Sequence, residues 1–249
     1  RVELKEASHP LLYFKLGRID LLGGAAPEEA GADTEAAIPD SAYDDGGEVD
    51  GTVPNDIVIE DDKRILVISG PNTGGKTVAL KTLGLCALMM RCGLPIPCAE
   101  GSTLPIFSTV FTDIGDEQSI ERDLSTFSGH LTNINTFLNR CDDKSLVLLD
   151  ELFTGTDPVQ GAALAAALLD ELSELGATGV VTTHLETLKT LAFDRESYAN
   201  ASMGFDVENM RPTYRLTLGL PGSSYAIRIA RRLGLPARVV ERAKDMLEG

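Results

Sequence analysis

A glycine-rich segment ending in a lysine and a threonine carries the clearest chemical signal in this sequence. It consists of Gly70, Pro71, Asn72, Thr73, Gly74, Gly75, Lys76 and Thr77, with four residues between its outer glycines. Glycine permits backbone conformations in which successive N–H groups point at one anion, and a following helix adds the positive end of its dipole. Lys76 would then reach the β- and γ-phosphates, and Thr77 would ligate Mg²⁺. The segment predicts a polyphosphate-binding loop.

Two adjacent carboxylates, Asp150 and Glu151, follow the apolar run 146–149. An acidic pair is common at any strand end, so its interpretation depends on the phosphate-binding loop that precedes it in the chain. In that context Asp150 is predicted to belong to the Mg²⁺ shell, and Glu151 to polarise an attacking water. Parallel strands would bring both side chains to the carboxyl edge of the sheet, where open α/β folds bind ligands.

Three further polar residues have two interpretations each. His184 follows a predicted strand, and a lone histidine at such a position is more often structural. If that strand lies beside the one that ends in Asp150 and Glu151, however, His184 would point into the crevice expected to hold the γ-phosphate. Asp157 precedes Pro158 and either caps a helix or belongs to a functional loop. Ser125 begins an amphipathic segment and either caps that helix or completes an anion site on a second subunit.

The elements that must position these residues alternate between strands and helices. Strands are predicted at 57–59, 64–69, 106–111, 145–149 and 178–183, and helices at 76–92, 125–140 and 158–175. At the N-terminal end, residues 2–22 suggest a strand and a turn at His9-Pro10. Towards the C-terminal end, two further strands are predicted at 202–207 and 213–218, and they look antiparallel or peripheral. Two short helices, 223–233 and 236–247, follow them. Such alternation predicts an α/β fold with right-handed crossovers and a mostly parallel sheet covered on both faces.

The charge balance limits the possible partners. The chain has 249 residues, 22 Lys and Arg against 38 Asp and Glu, and a formal charge of −16. A chain this acidic repels phosphate backbones and is not expected to clasp nucleic acid by itself. Nine acidic residues and no Lys or Arg fall within residues 23–52, so residues 21–54 are predicted to be an exposed, mobile insertion.

Cysteine usage and hydropathy indicate the compartment. The four cysteines are not at metal-ligand spacing and are expected to be buried or partly buried thiols. No cationic and apolar leader is recognised, which favours a reducing, cytoplasmic setting. The apolar runs are shorter than the roughly 18 residues that span a bilayer, so no membrane partner is expected.

Taken together, these motifs resemble the ATPase domain of the MutS family, a branch of the ABC-type ATPases. The resemblance is carried by the phosphate-binding loop, Ser125-Thr126-Phe127, Asp150-Glu151, Gly155-Thr156-Asp157-Pro158 and Thr182-Thr183-His184. The segment 113–120 and the Gly-Thr-Asp-Pro turn are most similar to the bacterial MutS paralogue of anti-recombination and ribosome rescue, which carries an Smr nuclease domain. Mismatch-recognising MutS typically has a Gly-Thr-Ser-Thr turn. Phe153 departs from the small residues usual at its position.

The resemblance implies an ABC-type P-loop ATPase that uses ATP and Mg²⁺. Glu151 and Lys76 would be catalytic, Gln118 would lie in a γ-phosphate-sensing loop, and His184 would be the switch histidine. Ser125 would act in trans on the partner's γ-phosphate, and Asp157 would link the two sites. Residues 1–219 would form the ATPase domain and residues 220–249 a helix-turn-helix-like dimerisation tail. DNA or ribosome contact would lie in segments that this chain lacks.

The expected function is Mg²⁺-dependent ATP hydrolysis by a dimerising module that drives or gates engagement of branched DNA or stalled ribosomes. One alternative is the ATPase domain of mismatch-recognising MutS. Another is a nucleotide-gated dimerisation module with little turnover. A kinase is disfavoured because no acceptor-binding or lid segment is recognised.

Overall fold

The computed structural model describes residues 1–15, 52–115, 123–153, 156–206, 208–222 and 226–248. The strands are β1 (Val2–Ala7), β2 (Asn55–Ile59), β3 (Ile65–Ser69), β4 (Thr109–Asp113), β5 (Ser145–Leu149), β6 (Thr178–Thr183), β7 (Tyr198–Asp206) and β8 (Arg211–Leu218). The helices are α1 (Pro10–Lys15), α2 (Lys76–Arg91), α3 (Asp123–Leu138), α4 (Pro158–Glu174), α5 (Glu186–Asp194), α6 (Ala226–Arg232) and α7 (Ala237–Glu248). Most of the acidic segment and Gln118 lie outside the described residues.

The main sheet has the strand order β4-β5-β6-β3-β7-β8. Neighbouring strands from β4 to β7 pair in parallel, and β8 pairs antiparallel with β7 at the edge. The prediction of a mostly parallel α/β sheet with a peripheral antiparallel strand is confirmed. Because β3, β5 and β6 are neighbours, the segments that follow their carboxyl ends meet at one edge of the sheet.

The central strands are buried on both faces, since alternate side chains enter two different hydrophobic cores. In β3, Leu66 and Ile68 join a core formed with α2 and the small antiparallel sheet of β1 and β2. Ile65 and Val67 join a second core, formed with residues of α3, α4 and α5. This layered packing fixes the ends of the strands that carry the candidate site.

Several predicted boundaries are corrected by the structure. The strand expected at 106–111 starts at Thr109, because pairing with β5 sets its register, and Ile106 before it is 72% exposed. The strand expected at 202–207 extends from Tyr198 and is not peripheral, since its first half pairs in parallel with β3. The turn at His9-Pro10 is the start of α1, and the short helix α5 was not predicted.

The cysteines follow the prediction with one exception. Cys86 is buried, Cys98 and Cys141 are partly buried, and Cys92 is exposed at the end of α2. Burial raises the pKa of Cys86 to about 12, so this thiol is unreactive at neutral pH. Within the described residues, no group of three or more metal-ligating side chains is found, and no helix has the length and apolar character needed to cross a membrane.

Candidate functional site

The glycine-rich loop connects the end of β3 to the start of α2. Gly70 has a φ of 133°, and a Cβ atom there would lie 3.0 Å from the carbonyl oxygen of Met203. Gly75 has a φ of 93° and precedes α2 without a side-chain cap, so the first turn of the helix offers its N–H groups to a ligand. Both glycines are therefore required by the backbone.

Lys76 lies inside this loop with only 1% of its side chain exposed. Its Nζ atom donates hydrogen bonds to the carbonyl oxygen of Gly70 at 2.8 Å and to Oδ1 of Asn72 at 2.9 Å. The same atom lies 3.4 Å from Oε1 of Glu151. A buried ammonium is stabilised by such partners, and it gives an acidic chain a local positive charge.

Asp150 directly follows β5, and two hydroxyl groups hold its carboxylate. Thr77 donates to Oδ2 at 2.6 Å, and Thr182 donates to Oδ1 at 2.5 Å. The pairing of Thr77 with Asp150 brings together the two oxygen donors predicted for Mg²⁺. Oxygen ligands of this kind suit Mg²⁺, which keeps several waters and takes other ligands from substrate phosphates. The residues present therefore fit that ion.

Glu151 turns its carboxylate toward the glycine-rich loop because its backbone is left-handed, with a φ of 47°. A conformation this uncommon for a non-glycine residue is found at functional sites when the surroundings hold it. Here the Thr182 hydroxyl accepts a hydrogen bond from the Glu151 N–H at 2.8 Å. Oε2 of Glu151 lies 4.0 Å from Nδ1 of His184, whose side chain is 52% exposed. The structure thus brings Lys76, Asp150, Glu151 and His184 together.

The remaining predicted residues are placed differently. Asp157 caps α4, accepting a hydrogen bond from the Gln160 N–H at 2.9 Å, which confirms its capping interpretation. Ser125 lies within α3 rather than before it, because the helix includes Asp123. Gln118 and the side chain of Ser125 are outside the described residues.

Sequence reasoning missed two groups that support the site. Thr182, buried in β6, joins the backbone of Glu151 to the carboxylate of Asp150. Asp113, at the end of β4, contacts Nδ1 of His130 at 2.5 Å and accepts from Asn133 at 3.0 Å, which ties α3 to the sheet. The polar residues at the ends of β4 and β6 could have indicated these contacts. Which side chains they meet, however, depends on the order of the strands in the sheet, which the sequence pattern does not give.

The segment after β8 also contacts the glycine-rich loop. The N–H of Gly222 donates to the Ser69 hydroxyl at 2.7 Å, and its carbonyl accepts from Lys189 at 3.1 Å. A Cβ atom at position 222 would lie 3.2 Å from the Cα and N atoms of Gly70. The stretch that leads toward α6 and α7 is therefore packed against the start of the loop.

An apolar cavity of about 250 Å³ lies beside Gly75. Its lining includes Val53, Val78, Met203 and Tyr214, together with His9. Burial lowers the pKa of His9, and the nearby Lys81 lowers it further, so the imidazole is neutral at pH 7. Because Gly75 is part of its lining, the cavity adjoins the glycine-rich loop.

A sequence profile of MutS domain V matches residues 66–249, which is more than half of the chain. The chain belongs to the MutS family. Its relatives include a protein named Endonuclease MutS2 from Geobacillus thermodenitrificans, 56% identical over 195 residues that cover 78% of this chain and 25% of the relative. Proteins of the same name from Thermomicrobium roseum and Enterococcus faecalis are 57% and 55% identical, over 78% and 79% of this chain and 25% of each relative.

The resemblance to the MutS family is thus confirmed. The glycine-rich loop, the carboxylate pair and His184 all lie within the matched domain V. The chain spans about a quarter of the length of these relatives.

Proposed function

We propose that this MutS domain V is a Mg²⁺-dependent ATPase that works as a dimer. The observation that carries the proposal is the convergence of Lys76, Thr77, Asp150 and Glu151 at one sheet edge, with 3.4 Å between Lys76 Nζ and Glu151 Oε1. A phosphate-binding cation, a pair of Mg²⁺ donors and a water-orienting carboxylate are the parts that phosphoryl transfer to water requires.

Each side chain has a separate task in this proposal. The N–H groups at the start of α2 and the Lys76 ammonium bind the β- and γ-phosphates. Thr77 and Asp150 would hold Mg²⁺, the latter through a water, and the ion would supply positive charge to neutralise the phosphate oxygens. Glu151 orients the attacking water, and His184 contacts the same region from the next strand.

The cavity beside Gly75 is proposed to bind the adenine base. It adjoins the loop that would hold the phosphates, and Tyr214 and Val78 offer apolar surface for stacking. His9 lines the same cavity and would lie near the base.

The dimer is proposed from the start of α3 and from the C-terminal helices. Ser125 would act in trans on the partner's γ-phosphate, and Asp157 would lie in the loop that links the two sites. Gln118 would lie in the loop that senses the γ-phosphate and Mg²⁺. Residues 220–249 would form the dimerisation tail. In this part of the chain Leu233 and Leu235, between α6 and α7, and Val239, in α7, are exposed. Exposed apolar side chains grouped in this way are available for an interface.

The relatives' name favours the MutS paralogue over mismatch-recognising MutS as the source of this domain. In the full-length protein, ATP turnover would drive or gate engagement of DNA, such as branched intermediates, or of stalled ribosomes. The net charge of −16 supports locating that contact outside these 249 residues. A nucleotide-gated dimerisation module with little turnover is the second candidate.

Phosphate release by the purified chain tests the proposal. Hydrolysis should require Mg²⁺ and should be abolished in Lys76→Met, which removes the phosphate-binding cation. Lys63→Met, at an exposed lysine just before β3 and so at the opposite end of that strand from the loop, is the matched control and should hydrolyse ATP normally. ATP binding without Mg²⁺-dependent release would favour the dimerisation module, and no ATP binding would refute both candidates.

A further inference from the structure

Asn55, the first residue of β2, links the small sheet to the outer edge of the main sheet. Its Nδ2 atom donates to the carbonyl oxygen of Tyr214 at 2.9 Å, and its Oδ1 atom accepts from the N–H of Leu216 at 2.6 Å. Nδ2 also donates to the Val53 carbonyl at 3.2 Å. Both ends of the amide are therefore used, and two of the bonds reach residues about 160 positions away.

The bonds of Asn55 fall where β8 departs from regular pairing. Leu216 pairs with Met203 and Pro212 pairs with Phe205, and the register shifts between these two pairs. Tyr214 lies within the irregular stretch and has a φ of 55°. The left-handed region is unfavourable for a bulky side chain, so a tyrosine remains there only when its surroundings fix the backbone. Asn55 makes two backbone-directed bonds immediately after the Tyr214 Cα atom, to the carbonyl oxygen of Tyr214 itself and to the N–H of Leu216.

This backbone conformation places the tyrosine ring over the glycine-rich loop. A Cβ atom built on Gly75 would lie 3.3 Å from Cδ1 of Tyr214, and the ring lines the cavity beside that glycine. Asn55 lines the same cavity. The aromatic wall that would face a nucleotide base is thus positioned by a side chain from a different sheet.

We propose that Asn55 is a positioning residue for recognition of the nucleoside, holding Tyr214 in the left-handed conformation that presents its ring to the base. The inference rests on the proposed ATPase function, and it adds that affinity for the base depends on a hydrogen-bonded link between β2 and β8. Within the described part of the chain, the hydrogen bonds of the Asn55 amide go to Val53, Tyr214 and Leu216 and not to the phosphate-binding loop. Asn55 therefore contributes to binding of a nucleotide and not to binding of a bare phosphate chain.

The test compares Mg²⁺-ATP with Mg²⁺-tripolyphosphate, which offers the phosphates without the nucleoside. Asn55→Asp keeps the size of the side chain and the acceptor for Leu216 but removes the donor to Tyr214. Loss of a hydrogen bond that orients the ring should weaken ATP binding on the order of tenfold. Tripolyphosphate binding, measured by calorimetry, should be unchanged, and KM for ATP should rise while kcat is retained.

Two further variants separate positioning from general stability. Asn139→Asp, at an exposed asparagine just after α3, is the matched control and should bind both ligands normally. In a Tyr214→Ala background, Asn55→Asp should have little additional effect on ATP affinity, because the ring it positions is gone. This double-mutant comparison remains informative if Asn55→Asp lowers the melting temperature. The affinities for ATP and for tripolyphosphate can still be measured on the protein that remains folded.

Specific outcomes overturn the inference. Equal weakening of ATP and tripolyphosphate, or additive effects of the two substitutions, would show that Asn55 acts only on the fold. Unchanged ATP affinity in Asn55→Asp would show that it does not position the ring. A wild-type chain that binds ATP no tighter than tripolyphosphate would refute the base pocket, whereas binding of neither ligand would refute the proposed ATPase as well.

Discussion

The Nζ atom of Lys76 lies 3.4 Å from Oε1 of Glu151, and the Lys76 side chain is almost completely buried. The cation proposed to bind the phosphates and the carboxylate proposed to orient water therefore interact directly. A bound γ-phosphate would compete with Glu151 for the same ammonium. In the proposed mechanism, substrate binding and placement of the attacking water would therefore be linked through this pair.

Glu151→Gln should separate binding from hydrolysis. The amide keeps the shape of the side chain, but it cannot accept a proton from water, so turnover should fall by about 10²–10⁴-fold. ATP affinity should be equal or higher, because the phosphates no longer compete with a carboxylate for Lys76. Phosphate release and equilibrium ATP binding measure the two effects, with Glu174→Gln on the exposed end of α4 as the control. Undiminished hydrolysis would remove Glu151 from the proposed mechanism.

Thr182→Val tests the hydroxyl that links Asp150 and Glu151. Valine keeps the volume of this buried side chain but removes the bond to Asp150 Oδ1 and leaves the Glu151 N–H without that acceptor. Unfolding free energy should fall by about 1–3 kcal/mol. Because Asp150 loses one of its orienting bonds, the Mg²⁺ concentration for half-maximal hydrolysis should rise several-fold.

Thr183→Val is the control for that experiment. Its hydroxyl, on the adjacent residue of β6, accepts from the Leu185 N–H and makes no described contact with Asp150. A comparable loss of stability without a change in Mg²⁺ dependence is expected. If both variants shifted the Mg²⁺ dependence equally, the role assigned to Thr182 would reduce to fold stability.

The parts of the site that the sequence predicted are those determined locally. The glycines of the loop, Lys76 and Thr77 occupy one continuous turn, and Asp150 and Glu151 end one apolar strand. Thr182 could be named as a strand residue, but its contact with Asp150 depends on β6 lying beside β5. The link between Asn55 and Tyr214 crosses 159 positions and two sheets, and no local pattern marks it.

The same distinction explains the errors in the fold. The first half of β7 has small and polar residues, so its apolar signal is weak. Its place beside β3 is set by pairing along Tyr198 to Ser202 and by the burial of Ala201 and Asn200. The helix α5 spans only nine residues, too few for a helical period to be distinguished from a loop.

Gly222→Ala should weaken ATP binding from outside the loop. The added methyl group would lie 3.2 Å from backbone atoms of Gly70 and 3.3 Å from the carbonyl carbon of Ser69, and neither can move like a flexible side chain. Overpacking here should displace the start of the phosphate-binding loop and reduce ATP affinity on the order of tenfold. Gly129→Ala, where a Cβ atom would meet nothing within 4 Å, should leave the affinity unchanged. Normal ATP binding by Gly222→Ala would show that the loop tolerates this displacement.

The proposed dimer predicts that Ser125→Ala and Glu151→Gln chains, each inactive alone, complement each other when mixed. In a symmetric dimer whose sites take Ser125 from the partner, a mixed pair has one site with an intact Glu151 and an intact Ser125, while its other site lacks both. Random pairing at equal concentrations makes about half of the dimers mixed, so about a quarter of wild-type activity should return.

Two measurements check the arrangement in trans. The specific activity of the wild-type chain should rise with protein concentration, and light scattering in saturating ATP should show the corresponding dimer. Mixing Lys76→Met with Glu151→Gln is the control, because both substitutions affect the same chain's half of each site and every mixed dimer lacks a complete one. No recovery with Ser125→Ala, together with a rate per molecule that is independent of concentration, would place Ser125 in its own chain's site or outside the mechanism.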